Sequence, residues 1–212
     1  MPRRFHLRVG GLAVAVAMVA ALAAAVPAGA VSSSAICKSE FQDGSAGPIS
    51  PVANPGFGSP CVNDSQSSAS VSGTFNGEAY AGANTTAKTG VSGNSVIAHA
   101  NVLGQYTLAS QGGTHTLTAS GLRSREQVNC ATGAISTKGE VDFLQVDGTT
   151  YVSSPTTTAD VFSTPIGTVL INFTTGNFSG TQFRNALQVT MSDTGDVFQV
   201  GVAVAGCGGG TT

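Results

Sequence analysis

RNALQVTMSDTGDVFQVGVAVAGCGGG, residues 184–210, is the stretch that decides the fold. Leu187, Val189 and Met191 alternate with Ala186, Gln188 and Thr190, a period of two that belongs to a half-buried strand. Ser192 to Gly195 supplies the turn. Phe198, Val200, Val202 and Val204 then continue the apolar face up to Cys207. This reads as a core hairpin whose cysteine locks the last strand to an earlier one.

The same alternation recurs upstream in SVIAHANVL (95–103) and THTLTAS (114–120). EVDFLQV (140–146) and TTYV (149–152) are joined by Asp147-Gly148, a short hairpin signal because both positions tolerate positive φ. In GTVLINFTT (167–175) the alternation puts Val169, Ile171 and Phe173 on one face. No segment beyond the leader keeps a helical period. The expected fold is therefore all-β: an antiparallel sandwich or barrel-like domain stapled by disulfides. A β-solenoid is the alternative, and the lack of a fixed repeat counts against it.

The chain opens with Arg3, Arg4 and Arg8 ahead of an apolar run, Leu12 to Val26. Pro27 and Ala28-Gly29-Ala30 follow, the pattern of a cleavable signal peptide over 1–30. Cys37, preceded by Ser34-Ala35-Ile36, makes a poor lipidation box, and no later segment is apolar enough to span a bilayer. The expected product is secreted or extracellular, with an association to the cell surface left open. Cleavage after Ala30 leaves 182 residues with six basic and eleven acidic side chains, a formal charge of −5. Six cations spread along the sequence make no nucleic-acid footprint, so that class is set aside.

Four cysteines follow the leader: Cys37, Cys61, Cys130 and Cys207. An even count in an exported chain reads as two disulfides, with three connectivities available. Cys37–Cys61 with Cys130–Cys207 is the most economical of these. The absence of Cys-x-x-Cys disfavours a zinc or redox motif. Residues 31–68 are rich in Pro, Gly and Ser. Within them PISPVANPGFGSPC makes a poor central strand and reads as an extended arm held by a local disulfide. NDSQSSAS then serves as a linker into the β-rich domain, 69–212.

Candidate chemistry is sparse. His99 and His115 lie on alternating strands, where solvent-facing roles are the plain reading. Glu140 and Asp142 share a strand face and could hold a cation or act as an acid/base pair, but no calcium-loop pattern accompanies them. Asp193 and Asp196 suit turn chemistry. Nucleophile-elbow, phosphate-loop and zinc-protease motifs are missing, so neither catalytic residues, metal ligands nor a cofactor are expected. Arg123 and Arg125 would face the same side of a strand and could grip a carboxylate or an anionic glycan; a solvated, charged edge is the plainer reading. Tyr106 and Tyr151 are the aromatic groups that could join them as ligand contacts, in a chain without Trp.

Several segments together resemble the choice-of-anchor P family of bacterial secreted and surface proteins, best represented in actinobacteria. They are TASGLRSREQVNC (118–130), VDFLQVDGTTYV (141–152), GTVLIN (167–172), NALQVTM (185–191) and DVFQVGVAVAGC (196–207), so the likeness covers about 118–207. It implies an extracellular β-rich domain with no known catalytic activity, and it favours pairing Cys130 with Cys207. The expected function is a non-catalytic structural or adhesive domain meeting cell-envelope or host-matrix components. A glycan- or peptide-binding module is the alternative. A secreted hydrolase, built by uniting His99 or His115 with Glu140 or Asp142, ranks third.

Overall fold

The computed structural model describes residues 35–54, 60–178 and 181–208, with the backbone alone for 175–178. The signal peptide read over 1–30 lies outside the described residues. Within them the order is β1 (Ile36–Gly44), β2 (Ile49–Ala53), β3 (Asp64–Phe75), β4 (Glu78–Ser92), β5 (Ser95–Ala109) and β6 (Thr116–Asn129). There follow β7 (Ile135–Glu140), β8 (Phe143–Val146), β9 (Thr149–Val152), β10 (Asp160–Thr164), β11 (Gly167–Phe178), β12 (Thr181–Met191) and β13 (Val197–Gly206). One 3₁₀ turn, Gln111–Gly113, interrupts the strands. No helix among the described residues is long and apolar enough to cross a membrane.

The strands form two antiparallel sheets packed face to face, an open sandwich. A six-stranded sheet runs β10-β11-β12-β13-β1-β2. A seven-stranded sheet runs β3-β4-β5-β6-β8-β9, with β7 pairing the other end of β6. The closing hairpin is core, as its alternation predicts: Leu187, Val189, Met191, Phe198 and Val200 are buried in the main apolar cluster with Leu108, Leu117 and Leu144 of the facing sheet.

The segment expected as an arm outside the body supplies β1 and β2 instead. β1 lies between β13 and β2, and the serine-rich linker is the start of β3. Proline did not prevent this, because Pro51 sits in β2, an edge strand, where a missing N–H costs no ladder bond.

The long strands exchange their inward and outward faces partway along. On β4 the inward positions are Glu78, Tyr80 and Gly82, then Thr85, Ala87 and Thr89, with Asn84 at φ +52° between them. On β6 Leu117 and Ala119 point inward, then Leu122, Ser124, Glu126 and Val128, with Gly121 at φ +61° at the change. β5 carries an extra residue between Val102 and Gln105, where its register shifts against both neighbours. Asn172 on β11 and Gly201 on β13, both at positive φ, do the same in the other sheet. Simple alternation fails here for Phe173, Val202, Val204 and Ala186. Phe173 does not follow Ile171 inward, because Asn172 and Thr174 turn toward β7 and Arg184. Val202 and Val204 face away from the facing sheet, opposite Glu40 and Lys38, while Ala203 and Ala205 turn toward Ala98 and Val96. Ala186 is buried as well, against Gly201. A bulge of this kind inverts a strand's faces without ending its pairing.

The exchange divides the interior into two halves. One is filled by large apolar groups, with Phe41 lying over Gly82 and edge-on to Tyr106 at 6.1 Å. The other is lined by Ala87, Ala98, Ala100, Ser39, Ser124, Ala203 and Ala205. There the sheets come close enough for hydroxyls to reach the opposite backbone: Ser39 Oγ donates to the His99 carbonyl, and Ser124 Oγ to Gly201 O at 2.5 Å. Both disulfides, Cys37–Cys61 and Cys130–Cys207, lie in this half. Cys37 of β1 bonds Cys61 in the connection leading into β3, and Cys130, just past β6, bonds Cys207, just past β13. Cys37–Cys61 therefore does more than tie a loop to itself. Covalent staples stand where large side chains are missing.

Candidate functional site

Over the stapled half, the outer face of the seven-stranded sheet collects four of the six Lys and Arg among the described residues. The changes of face make this so. Had β6 kept the alternation of Leu117 and Ala119, Arg123 and Arg125 would point into the sandwich; the left-handed turn at Gly121 sends them out. Gly121 admits no side chain, since a Cβ there would meet Asp142 Oδ2 at 1.9 Å. Asn84 turns Lys88 outward on β4 in the same way.

The register then lines up three rows across β4, β5, β6 and β7. The middle row is Lys88–His99–Arg125–Lys138, each directly opposite the next. On one side lies Thr86–Asn101–Arg123–Glu140, and on the other Gly90–Ile97–Gln127–Ser136. The row holding Arg123 satisfies itself. Asn101 Nδ2 donates to Thr86 Oγ1 at 2.9 Å, and Arg123 Nη1 reaches Glu140 at 2.6 Å and Asp142 at 2.9 Å. These partners raise the arginine's pKa, the Asp142 hydrogen bond most of all.

The middle row has no such internal solution for Lys88 and Arg125: its side chains are all basic types, and Arg125 stands directly opposite Lys138, where like charges are destabilising. Lys138 leans to Glu140 at 3.3 Å, and Arg125 Nη2 donates to Gln127 Oε1 at 2.6 Å. Among the described residues, Lys88, His99 and Arg125 have no carboxylate within ion-pair distance. His99 is pushed below the ordinary histidine range, first by burial and then by Arg125 and Lys88, so its ring is neutral at pH 7. Across the patch, four cations against two carboxylates leave a net charge of +2. Two depressions meet at His99. One of about 140 Å³ is lined by Arg123, Arg125, Lys138 and Glu140; the other, of about 270 Å³, by Asn63, Lys88, Val91 and Ile97.

On the inner side of β6, directly behind Arg125, stands Glu126. It is fully buried; burial pushes its pKa up to about 7, and Arg184 of the facing sheet works against that rise. Gly139 leaves the space that Asn172 Oδ1 and Arg184 Nε occupy nearby, and Asn172 Nδ2 donates to the carbonyls of Thr156 and Thr158 at 3.0 Å each.

Of the contact residues expected from sequence, Arg123 and Arg125 do share a face, with Arg123 committed to its carboxylates. Tyr106 does not join them. It is fully buried and donates its hydroxyl to Gln42 Oε1 at 2.9 Å. Tyr151 packs on Phe162 at 5.4 Å and lines a separate cavity with Thr156 and Asp160. The groups considered for a hydrolase are dispersed in role: Glu140 and Asp142 hold Arg123, His99 sits among cations, and His115 Nδ1 meets Asp147 Oδ2 at 2.7 Å on the β8–β9 turn. Among the described residues no group of three or more His, Cys, Asp or Glu could hold a metal ion. Sequence reading missed Lys88, His99 and Lys138 as partners of Arg125. Each has the outward phase of its strand, but only the register unites them.

Comparison of the chain with protein families, with characterised proteins and with solved structures finds no match. Fold and surface thus define the class by themselves: an all-β, disulfide-stapled antiparallel sandwich with a cationic row across one outer face. Its two disulfides fit an oxidising, extracellular setting.

Proposed function

We propose that this chain is a secreted, non-catalytic interaction domain that adheres to anionic components of a cell envelope or matrix through the outer face of its seven-stranded sheet. The observation that carries the reading is the row Lys88–His99–Arg125–Lys138. Of the six Lys and Arg beyond the leader, four lie on this patch, although the chain is acidic as a whole. A face arranged against its own electrostatics calls for an external anion, which would relieve the repulsion on binding. The signal-peptide pattern supports export, and a surface role without catalysis is what a resemblance of 118–207 to choice-of-anchor P proteins would imply.

The test is retention of the oxidised protein on an immobilised anionic polysaccharide, with heparin as the probe and uncharged dextran as control. Lys88→Glu and Arg125→Glu are each expected to weaken binding about tenfold at low salt. Each reversal removes an attraction and adds a repulsion, both of the size of an exposed ion pair and both screened by added salt. Equal retention of the two variants and the parent, or equal retention on dextran, would refute the reading.

A further inference from the structure

The geometry points to a linear polyuronate as the ligand of this face, lying across the strands with carboxylates on Lys88, Arg125 and Lys138 and the His99 ring between them as a hydrogen-bonding group; this rests on the interaction-domain reading above. The four side chains stand on four successive strands in direct register, so their spacing is set by the sheet and not by side-chain flexibility. Neighbouring strands are about 4.8 Å apart, which makes the row a straight comb roughly 14 Å long. Its direction is perpendicular to the strands. A 1,4-linked uronate chain presents one carboxylate per sugar at a closely similar advance.

The surroundings suit a sugar polymer better than another polyanion. The two depressions share His99 in their linings, one taking in Asn63 and Lys88 and the other Arg125 and Lys138. Thr86, Asn101, Gln127 and Ser136 border the row with neutral hydrogen-bonding groups on both sides, placed to meet ring hydroxyls. Ile97 and Val91 add an apolar floor at one end. Glu140 lines the other end and disfavours a ligand with more charge than one anion per strand. The backbone beneath is tied across the sandwich, since Ser39 Oγ of the facing sheet donates to the His99 carbonyl.

The experiment measures binding of α-1,4-linked oligogalacturonates, two to eight sugars long, to the oxidised protein by calorimetry at low salt. Affinity is expected to rise about tenfold from the dimer to the tetramer, as one further exposed ion pair and the His99 hydrogen bond form, and then to level off. Lys88→Gln and Lys138→Gln, at the two ends of the comb, should each move the plateau to a chain one sugar shorter. A dimer that binds as tightly as the octamer would overturn the comb and leave the interaction-domain reading standing. Hexaglutamate binding as tightly as the hexauronate would overturn the sugar assignment. Failure of every polyanion to bind would overturn both.

Discussion

Folding stability is expected to fall as pH rises from 4.5 to 7, and Glu126→Gln is expected to remove that share of the fall. Glu126 has no exposed surface, and burial raises its pKa from 4.5 to about 7. The folded state therefore holds this proton more tightly than the unfolded chain does. The stabilisation is complete below pH 4.5 and is lost as pH rises through 7. Each pH unit between the two values is worth about 1.4 kcal/mol, which bounds the effect at roughly 3 kcal/mol. Arg184 opposes part of it, since its charge faces Glu126 across the sandwich and favours the ionised form. Urea denaturation at intervals from pH 4 to 8 measures the slope for parent and variant. Parallel curves would show that Glu126 is not held neutral by burial. The titration also bears on the outer face, because ionised Glu126 lies directly behind Arg125 and offsets its field. Acidification removes that offset and charges His99, so both changes strengthen the row's hold on an anion.

Removal of the Cys130–Cys207 bridge, as a Cys130→Ser/Cys207→Ser pair, should cost about 4 kcal/mol, and removal of Cys37–Cys61 about 3 kcal/mol. The order follows from the loops closed, with sequence separations of 77 and 24. The location makes the loss more than an entropic effect on the unfolded chain. Both bridges lie where the interior is alanine and serine and little apolar area is available to replace them. The cationic row lies on the outside of that same half. Reduction is therefore expected to abolish anion binding before the apolar half unfolds. Thermal unfolding with and without reductant, read beside polysaccharide retention, checks this. Retained binding in the reduced protein would show that the row does not depend on the stapled half.

The fold was legible in the sequence wherever one face of a strand stays apolar from end to end. The hairpin of Leu187, Val189 and Met191 with Phe198 and Val200 is the best case, and Asp147-Gly148, both at positive φ, marks the β8–β9 turn as read. Reading failed at Asn84, Gly121, Asn172 and Gly201, each at positive φ, because periodicity carries no mark for a bulge that inverts the faces. It failed also at β1, where Lys38, Glu40 and Gln42 alternate with Cys37, Ser39 and Phe41 and all six are buried. A strand covered on both faces with polar groups has no amphipathic signature. As for the site, Arg123 and Arg125 were visible as a pair two residues apart. Their companions lie on β4, β5 and β7, tens of residues from one another in sequence at the widest, and cross-strand register is a property of the whole sheet. The basic residues that look dispersed along the chain are gathered by the pairing alone.

The most direct test of the account is amide chemical-shift mapping of the oxidised, isotope-labelled protein titrated with a tetragalacturonate. The account predicts shifts that saturate together at Lys88, His99, Arg125 and Lys138, with Val161 and Thr149 on distant strands unmoved. Shifts centred on the Tyr151 and Phe162 cavity, or none along the row at ligand excess, would contradict it.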